Sequence, residues 1–365
     1  MAPLTRTILL LAGLSLPAWA DSAPDTDMVA LRAAYTRAPA NWPQAQTSDN
    51  VTPTALAPIP KGNVNEAKAA LGSMLFHDPI LSRDNSISCA SCHQAERHFA
   101  DDASVSTGVE QRQGARNAPP IFGVDLWQSF FWDGRAKTAE QQALMPIEEH
   151  KEMDLTISEA LSRLNQSSEY YDLFHQVYGE DIQRDGIQPQ HLSNAIVEFE
   201  RTLNAPATLY TQFITTAYQS PEKAVAMLND QQLQGLHLYR TKAKCMTCHE
   251  GPLLSDNEFH STGLHYYQRR FQDLGRYDFT GEAEDVGKFR TPSLLGVKDT
   301  FPWMHNGLFN QMLGIVRMYN AGGARPKRKA EQLDDPMFPE TTDLLIPLHL
   351  TKQEEQDLEA FLNIL

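Results

Sequence analysis

Two short stretches decide how this chain is read: Cys89-Ala90-Ser91-Cys92-His93 and Cys245-Met246-Thr247-Cys248-His249. In each, two thiols stand one helical turn apart and a histidine follows directly. That arrangement attaches one haem covalently, because the thiols add to the two porphyrin vinyl groups and the adjacent imidazole reaches the iron. Paired Cys-x-x-Cys zinc knuckles normally lie within about twenty residues of each other, whereas most of a domain separates Cys92 from Cys245. A thioredoxin-like dithiol leaves the histidine after both copies unexplained. The chain has four cysteines, and all of them fall in these motifs, so none is left for a disulfide. Cys89, Cys92, Cys245 and Cys248 are thus the attachment sites, His93 and His249 the proximal ligands, and two haem c groups the expected cofactors.

Working outward, a helix-like segment precedes each motif, Asn65 to Phe76 and Asp230 to Arg240. Leu192, Ile196, Phe199 and Leu203 keep helical spacing up to Pro206, and Thr351 to Glu354 forms a capping box ahead of Leu358, Phe361, Leu362 and Leu365. No alternating run is long enough for a sheet. The expected fold is mainly α, with two c-type cytochrome domains, each carrying one covalently bound haem, connected by long loops.

The first twenty residues carry Arg6, an apolar stretch from Ile8 to Leu16, and Pro17-Ala18-Trp19-Ala20 before Asp21, the layout of a signal peptide cleaved after Ala20. The apolar run is too short for a membrane anchor. A periplasmic location follows. Without Arg6 the 31 Lys and Arg become 30 against 46 Asp and Glu, so the formal charge goes from −15 to −16. Such acidity makes nucleic acid an unsuitable partner. About 345 mature residues call for two domains.

Beyond the haem motifs, the chain resembles the bacterial di-haem cytochrome c peroxidase and MauG superfamily over nearly its whole mature length. The matching blocks are Leu81-Ser82 through His93, Arg116-Asn117-Ala118-Pro119, Phe131-Trp132-Asp133-Gly134-Arg135, Phe289 to Leu294 and Pro302-Trp303-Met304-His305-Asn306-Gly307. The resemblance implies hydrogen peroxide as oxidant, with Trp132 as an electron relay between the haems. It also implies Glu152 as general acid/base and Gln142 as the group orienting peroxide. A calcium ion is implied between the haems, held by the Asn117 side chain and the carbonyls of Thr300 and Pro302; such oxygen-only ligation suits that hard cation. Domain limits by analogy are 61–203 for the first, peroxide-binding haem domain, completed by a C-terminal helix within 347–365, and 204–346 for the second, with 21–60 as an extended N-terminal arm.

Two positions depart from the classical peroxidase. Where a histidine would block the peroxide-binding iron, this chain has Val109, so the first haem is expected five-coordinate; His98 is a less favoured substitute ligand. Where a methionine would be the sixth ligand of the second haem, counting from His305 gives Tyr319. Helical geometry prefers Tyr319 to Met318, since Phe309, Met312, Leu313, Val316 and Asn320 lie on one side with Tyr319 at its edge, while Met318 points almost directly away. A phenolate stabilises oxidised iron, which suits storage of oxidising equivalents. Together these resemble the MauG branch, which oxidises a periplasmic partner protein, although the exit tryptophan before the second motif is replaced by Ala243. A copper-binding partner is one expectation. The alternatives are a peroxidase fed by a small cytochrome c or copper protein, and an electron-transfer module with both irons six-coordinate. Arg276 and Arg290 are candidates for haem propionates, and the basic run Arg325 to Lys329 is a solvated loop or a docking patch.

Overall fold

The computed structural model describes residues 27–49 and 51–365. The expected leader, 1–20, lies outside the described residues. Helices and long loops make up the molecule, and the named strands are a two-residue antiparallel pair, Phe259–His260 with Phe289–Arg290. The helix before the first motif runs Glu66–His77 and starts where the Asn65 side chain accepts the Lys68 amide. Its counterpart Asp230–Arg240 starts in the same way, from Asn229 to the Gln232 amide. Pro189–Thr202 buries Leu192 and Ile196, and Thr351 caps Lys352–Leu362 through Glu354. Each cap satisfies amides that the first turn leaves unpaired, typically worth about 1 kcal/mol.

Two apolar clusters hold the chain. One gathers Leu71, Leu75, Ile147, Leu164, Phe174, Leu192 and Ile196; the other gathers Tyr35, Trp42, Tyr210, Phe213, Leu236, Tyr239, Leu358 and Phe361. Both are built around the same crossing. Helix Glu66–His77 meets Pro189–Thr202 at Gly72, where a Cβ would overlap the Ala195 carbonyl and press on Phe199. Helix Asp230–Arg240 meets Lys352–Leu362 at Gly235, where a Cβ would overlap the Asp357 carbonyl and Phe361. Ala195 and Phe199, like Asp357 and Phe361, are four residues apart and share a helix face. The glycines let two backbones approach, and the aromatic rings fill the space beside them.

This duplication corrects one expectation. The C-terminal helix does not complete the first haem domain; it closes the second. Phe361 packs on Tyr239 at 5.3 Å and on Tyr210 at 5.9 Å between ring centroids, while Lys242 pairs with Glu354 at 2.6 Å and Arg317 with Glu355 at 3.1 Å. The physical reason is that the helix preceding each motif needs a partner to bury its apolar face, and Pro189–Thr202 already serves the first. The N-terminal arm also differs from an extended strand of chain. Asp27 caps a helix, Met28–Tyr35, whose Leu31 and Tyr35 enter the second cluster. Residues 46–48 then strap the second motif: the Gln46 amide donates to Arg240 (2.8 Å), the Ser48 amide to the Thr247 hydroxyl (3.0 Å), and Lys244 donates to the Thr47 carbonyl (2.9 Å).

Candidate active site

In both motifs the histidine amide closes a turn on the first cysteine, His93 on Cys89 at 3.0 Å and His249 on Cys245 at 2.8 Å. Each imidazole then spends Nδ1 on a later carbonyl, His93 on Phe99 at 2.7 Å and His249 on Leu254 at 3.0 Å. The chain turns back to meet the ring because Phe99 and Leu254 adopt φ of 62° and 52°. With Nδ1 committed, Nε2 is the nitrogen left to bind iron. Burial lowers both imidazole pKa values, which keeps the rings neutral and able to ligate.

Beside His93 opens a cavity of about 890 Å³, walled by Cys92, His93, Trp132, Gln142, Glu152, Glu200 and Arg290 among others. Gln142 comes from helix Ala139–Glu148 and Glu152 from the turn that follows it. The structure therefore brings His93, Trp132, Gln142 and Glu152 to one space. The Glu152 carboxyl is pushed up to about 7, because burial penalises the carboxylate and Glu149 adds like charge, partly offset by Arg135. Val109 is fully buried and its amide donates to the Glu152 carbonyl at 2.9 Å. His98, the rival ligand, instead faces Asp299 at 3.6 Å.

Arg290 tests whether these residues fit a haem. It is 8% exposed, donates through Nη1 to the Ser129 carbonyl at 3.0 Å, and lies 3.8 Å from the Trp127 ring, while its Nε has no hydrogen-bond partner among the described residues. Burial without an acidic partner pulls its pKa down to about 9. A buried cation is expensive unless an anion meets it, and a propionate supplies that anion, so the wall fits the group. Arg276 does not share this role. It is already held by Asp285 at 3.3 Å and by the Asp133 carbonyl at 3.2 Å.

On the second side, Tyr319 lies in helix Met312–Asn320. Burial, and after it the charge influence of Cys248 and Cys245 of the second motif, raise its phenol well above the usual range. Trp132 spans the seam between the two halves. Its indole donates to the Asn117 carbonyl at 2.8 Å, its carbonyl accepts the Arg290 amide at 2.7 Å, and its ring meets His305 edge-on at 6.3 Å. His305 in turn stacks on Phe289 at 3.6 Å. Arg116 clasps the same seam, bonding Asp133 at 2.5 Å and Asp273 at 2.7 Å. Asn117 donates its backbone amide to His305 at 2.8 Å and its side-chain amide to Ala103 at 3.1 Å. Among the described residues, no hydrogen bond joins it to Thr300 or Pro302. In the basic run, Arg328 is spent on the carbonyls of Gln332 and Asp335 at 3.0 and 2.8 Å, so it clamps its own loop.

Sequence reasoning missed Glu200, a carboxyl in the cavity wall. The available signal was a charged residue four positions after Ile196, on the core-facing stripe of its helix. It also missed the Arg116 clasp, which joins residues far apart in sequence and has no local signature.

The family model described as di-haem cytochrome c peroxidase matches residues 66–219. Cytochrome-c peroxidase IdrP1 of Pseudomonas sp. is 33% identical, the match covering 92% of this chain and 89% of that one. Methylamine utilization protein MauG of Methylorubrum extorquens is 30% identical, covering 84% of this chain and 81% of its own length. A crystal structure of a MauG-like protein associated with microbial copper homeostasis superposes with a TM-score of 0.70 at 27% identity, covering 88% of this chain and 95% of that one. Among the described residues no helix is long and apolar enough to cross a membrane. The paired Cys-x-x-Cys-His turns, the cavity with its unpaired arginine, and these likenesses lead to one conclusion: the chain belongs to the di-haem cytochrome c peroxidase family of haem-dependent, peroxide-using oxidoreductases.

Proposed function

We propose that this enzyme reacts with hydrogen peroxide in the Glu152 cavity and passes the oxidising equivalents to a partner protein, as the MauG branch does. The feature that carries this reading is Tyr319 itself, on helix Met312–Asn320, at the position where a classical peroxidase has methionine. Val109, in the place of a blocking histidine, supports an open first site.

When bound, the first haem supplies an iron that takes up peroxide and the second a store for oxidising equivalents. The chain's own residues do the rest. Glu152, half ionised near neutral pH, takes a proton from peroxide and returns it to the departing oxygen. Gln142 orients the bound peroxide through its amide. Trp132, anchored at Asn117 and Arg290, is the relay across the seam. Tyr319 would cap the second iron. A calcium ion would brace the seam through the Asn117 side-chain oxygen and the Thr300 and Pro302 carbonyls. Export to the periplasm by the N-terminal leader completes the reading. A copper-binding partner fits the name of the structurally similar MauG-like protein, and Ala243 means that electrons reach this partner by another route than a tryptophan before the second motif.

The cytochrome c peroxidase relatives favour a second reading, in which a small cytochrome c or copper protein reduces peroxide to water through this enzyme. Electron paramagnetic resonance of the resting ferric protein, before and after one equivalent of peroxide, tests the open site. A high-spin ferric signal that vanishes with peroxide is expected; two low-spin haems without response would overturn it. Fast turnover with reduced cytochrome c would put the second reading first.

A further inference from the structure

Glu200 sits on helix Pro189–Thr202, is 4% exposed, and belongs to the wall of the cavity that also holds His93 and Glu152. Its neighbour Arg201 turns away, to Asp125 at 2.8 Å and Glu198 at 3.0 Å. The charges that act on the Glu200 carboxyl come from Glu140 of helix Ala139–Glu148 and, in the opposite sense, from Arg201 on its own helix; Glu200 in turn acts on the Cys89 thiol of the first motif, and Glu152 lines the same cavity. Helix Glu66–His77 packs an uncharged ring here, Phe76 against Phe199 at 5.0 Å. Cys89 as a thioether carries no charge. The carboxyl is thus buried beside a haem attachment point, with an acid for a neighbour and its nearest base committed elsewhere. Burial and then Glu140 push it up to about 8.

We propose that Glu200 is the redox-linked proton site of the first haem. With the haem bound, its reduction by one electron from the partner protein or an electrode would be matched by one proton: an O–H bond of solvent hydronium breaks as one forms on the Glu200 carboxylate, and oxidation would return that proton to solvent. The cause is electrostatic linkage: ferric haem carries one more positive charge than ferrous haem, so it favours the carboxylate, and by reciprocity protonation favours the reduced iron. Glu152 keeps the separate task of handling peroxide protons.

The test is spectroelectrochemical titration of the first haem between pH 6 and pH 10 in the holoprotein, its Glu200→Gln and Glu152→Gln variants. The wild-type potential is expected to fall with rising pH, approaching 59 mV per pH unit for one proton per electron. Glu200→Gln should be flat above pH 8, where Glu152 is already ionised, Glu152→Gln should keep the slope there, and the second haem should be unchanged in both. A slope retained in Glu200→Gln, or a flat wild type, overturns the proposal. If Glu200→Gln does not assemble, Glu200→Asp keeps an ionisable group and should move the sloped range along the pH axis; an unmoved range overturns the proposal.

Discussion

Replacing Glu152 by Gln removes a carboxyl of the first cavity whose proton affinity matches neutral pH. A carboxyl at about 7 is about one tenth ionised at pH 6, half ionised at pH 7 and about nine tenths ionised at pH 8. The base form therefore rises roughly tenfold between pH 6 and pH 8, and the second-order rate of peroxide reaction should rise with it. The sign follows from the cause: burial and Glu149 destabilise the carboxylate, so the active form is lost as pH falls through 7 and not through the ordinary carboxylate range. General acid/base groups typically contribute about 10²- to 10⁴-fold, so Glu152→Gln should slow the reaction by that much and flatten the profile. Stopped-flow mixing with peroxide, followed in the Soret band from pH 5 to pH 9, measures both. A variant within about threefold of wild type, or one that keeps the inflection near 7, would refute the role given to Glu152.

Tyr319→Phe should raise the potential of the second haem and alter its ferric spectrum, since a phenolate stabilises oxidised iron, whereas Met318→Leu should change neither; the reverse result would move the ligand to Met318. Arg290→Gln removes an unpaired buried cation from the cavity wall, so the first haem potential should fall while both haems stay covalently attached, as read by haem staining of the denatured chain. Gly235→Ala should destabilise the protein by roughly 1–3 kcal/mol, because its Cβ meets the Asp357 carbonyl. Gly314→Ala, which meets only Gln311 at ordinary contact distance, should be neutral or stabilising by up to about 1 kcal/mol. Denaturant midpoints of the two holoproteins check that contrast, and equal midpoints would remove the crossing argument.

The local chemistry of this protein was legible in its sequence. Cys-x-x-Cys-His is a contiguous motif, so its meaning needs no fold, and the capped helices Glu66–His77, Asp230–Arg240 and Lys352–Leu362 follow from side chains within one or two turns. The helix Met28–Tyr35 escaped notice because a composition rich in Ala, Pro and Thr hid the short pairing of Leu31 with Tyr35. Which helix closes which domain was decided only in three dimensions, since Gly72 and Gly235 mark backbone crossings whose partners lie more than a hundred residues away. The same holds for the proton affinities of Glu152 and Glu200 and for the missing partner of Arg290. A residue's identity is set by the chain, but the burial and the neighbouring charges that tune it are created by segments meeting across the fold.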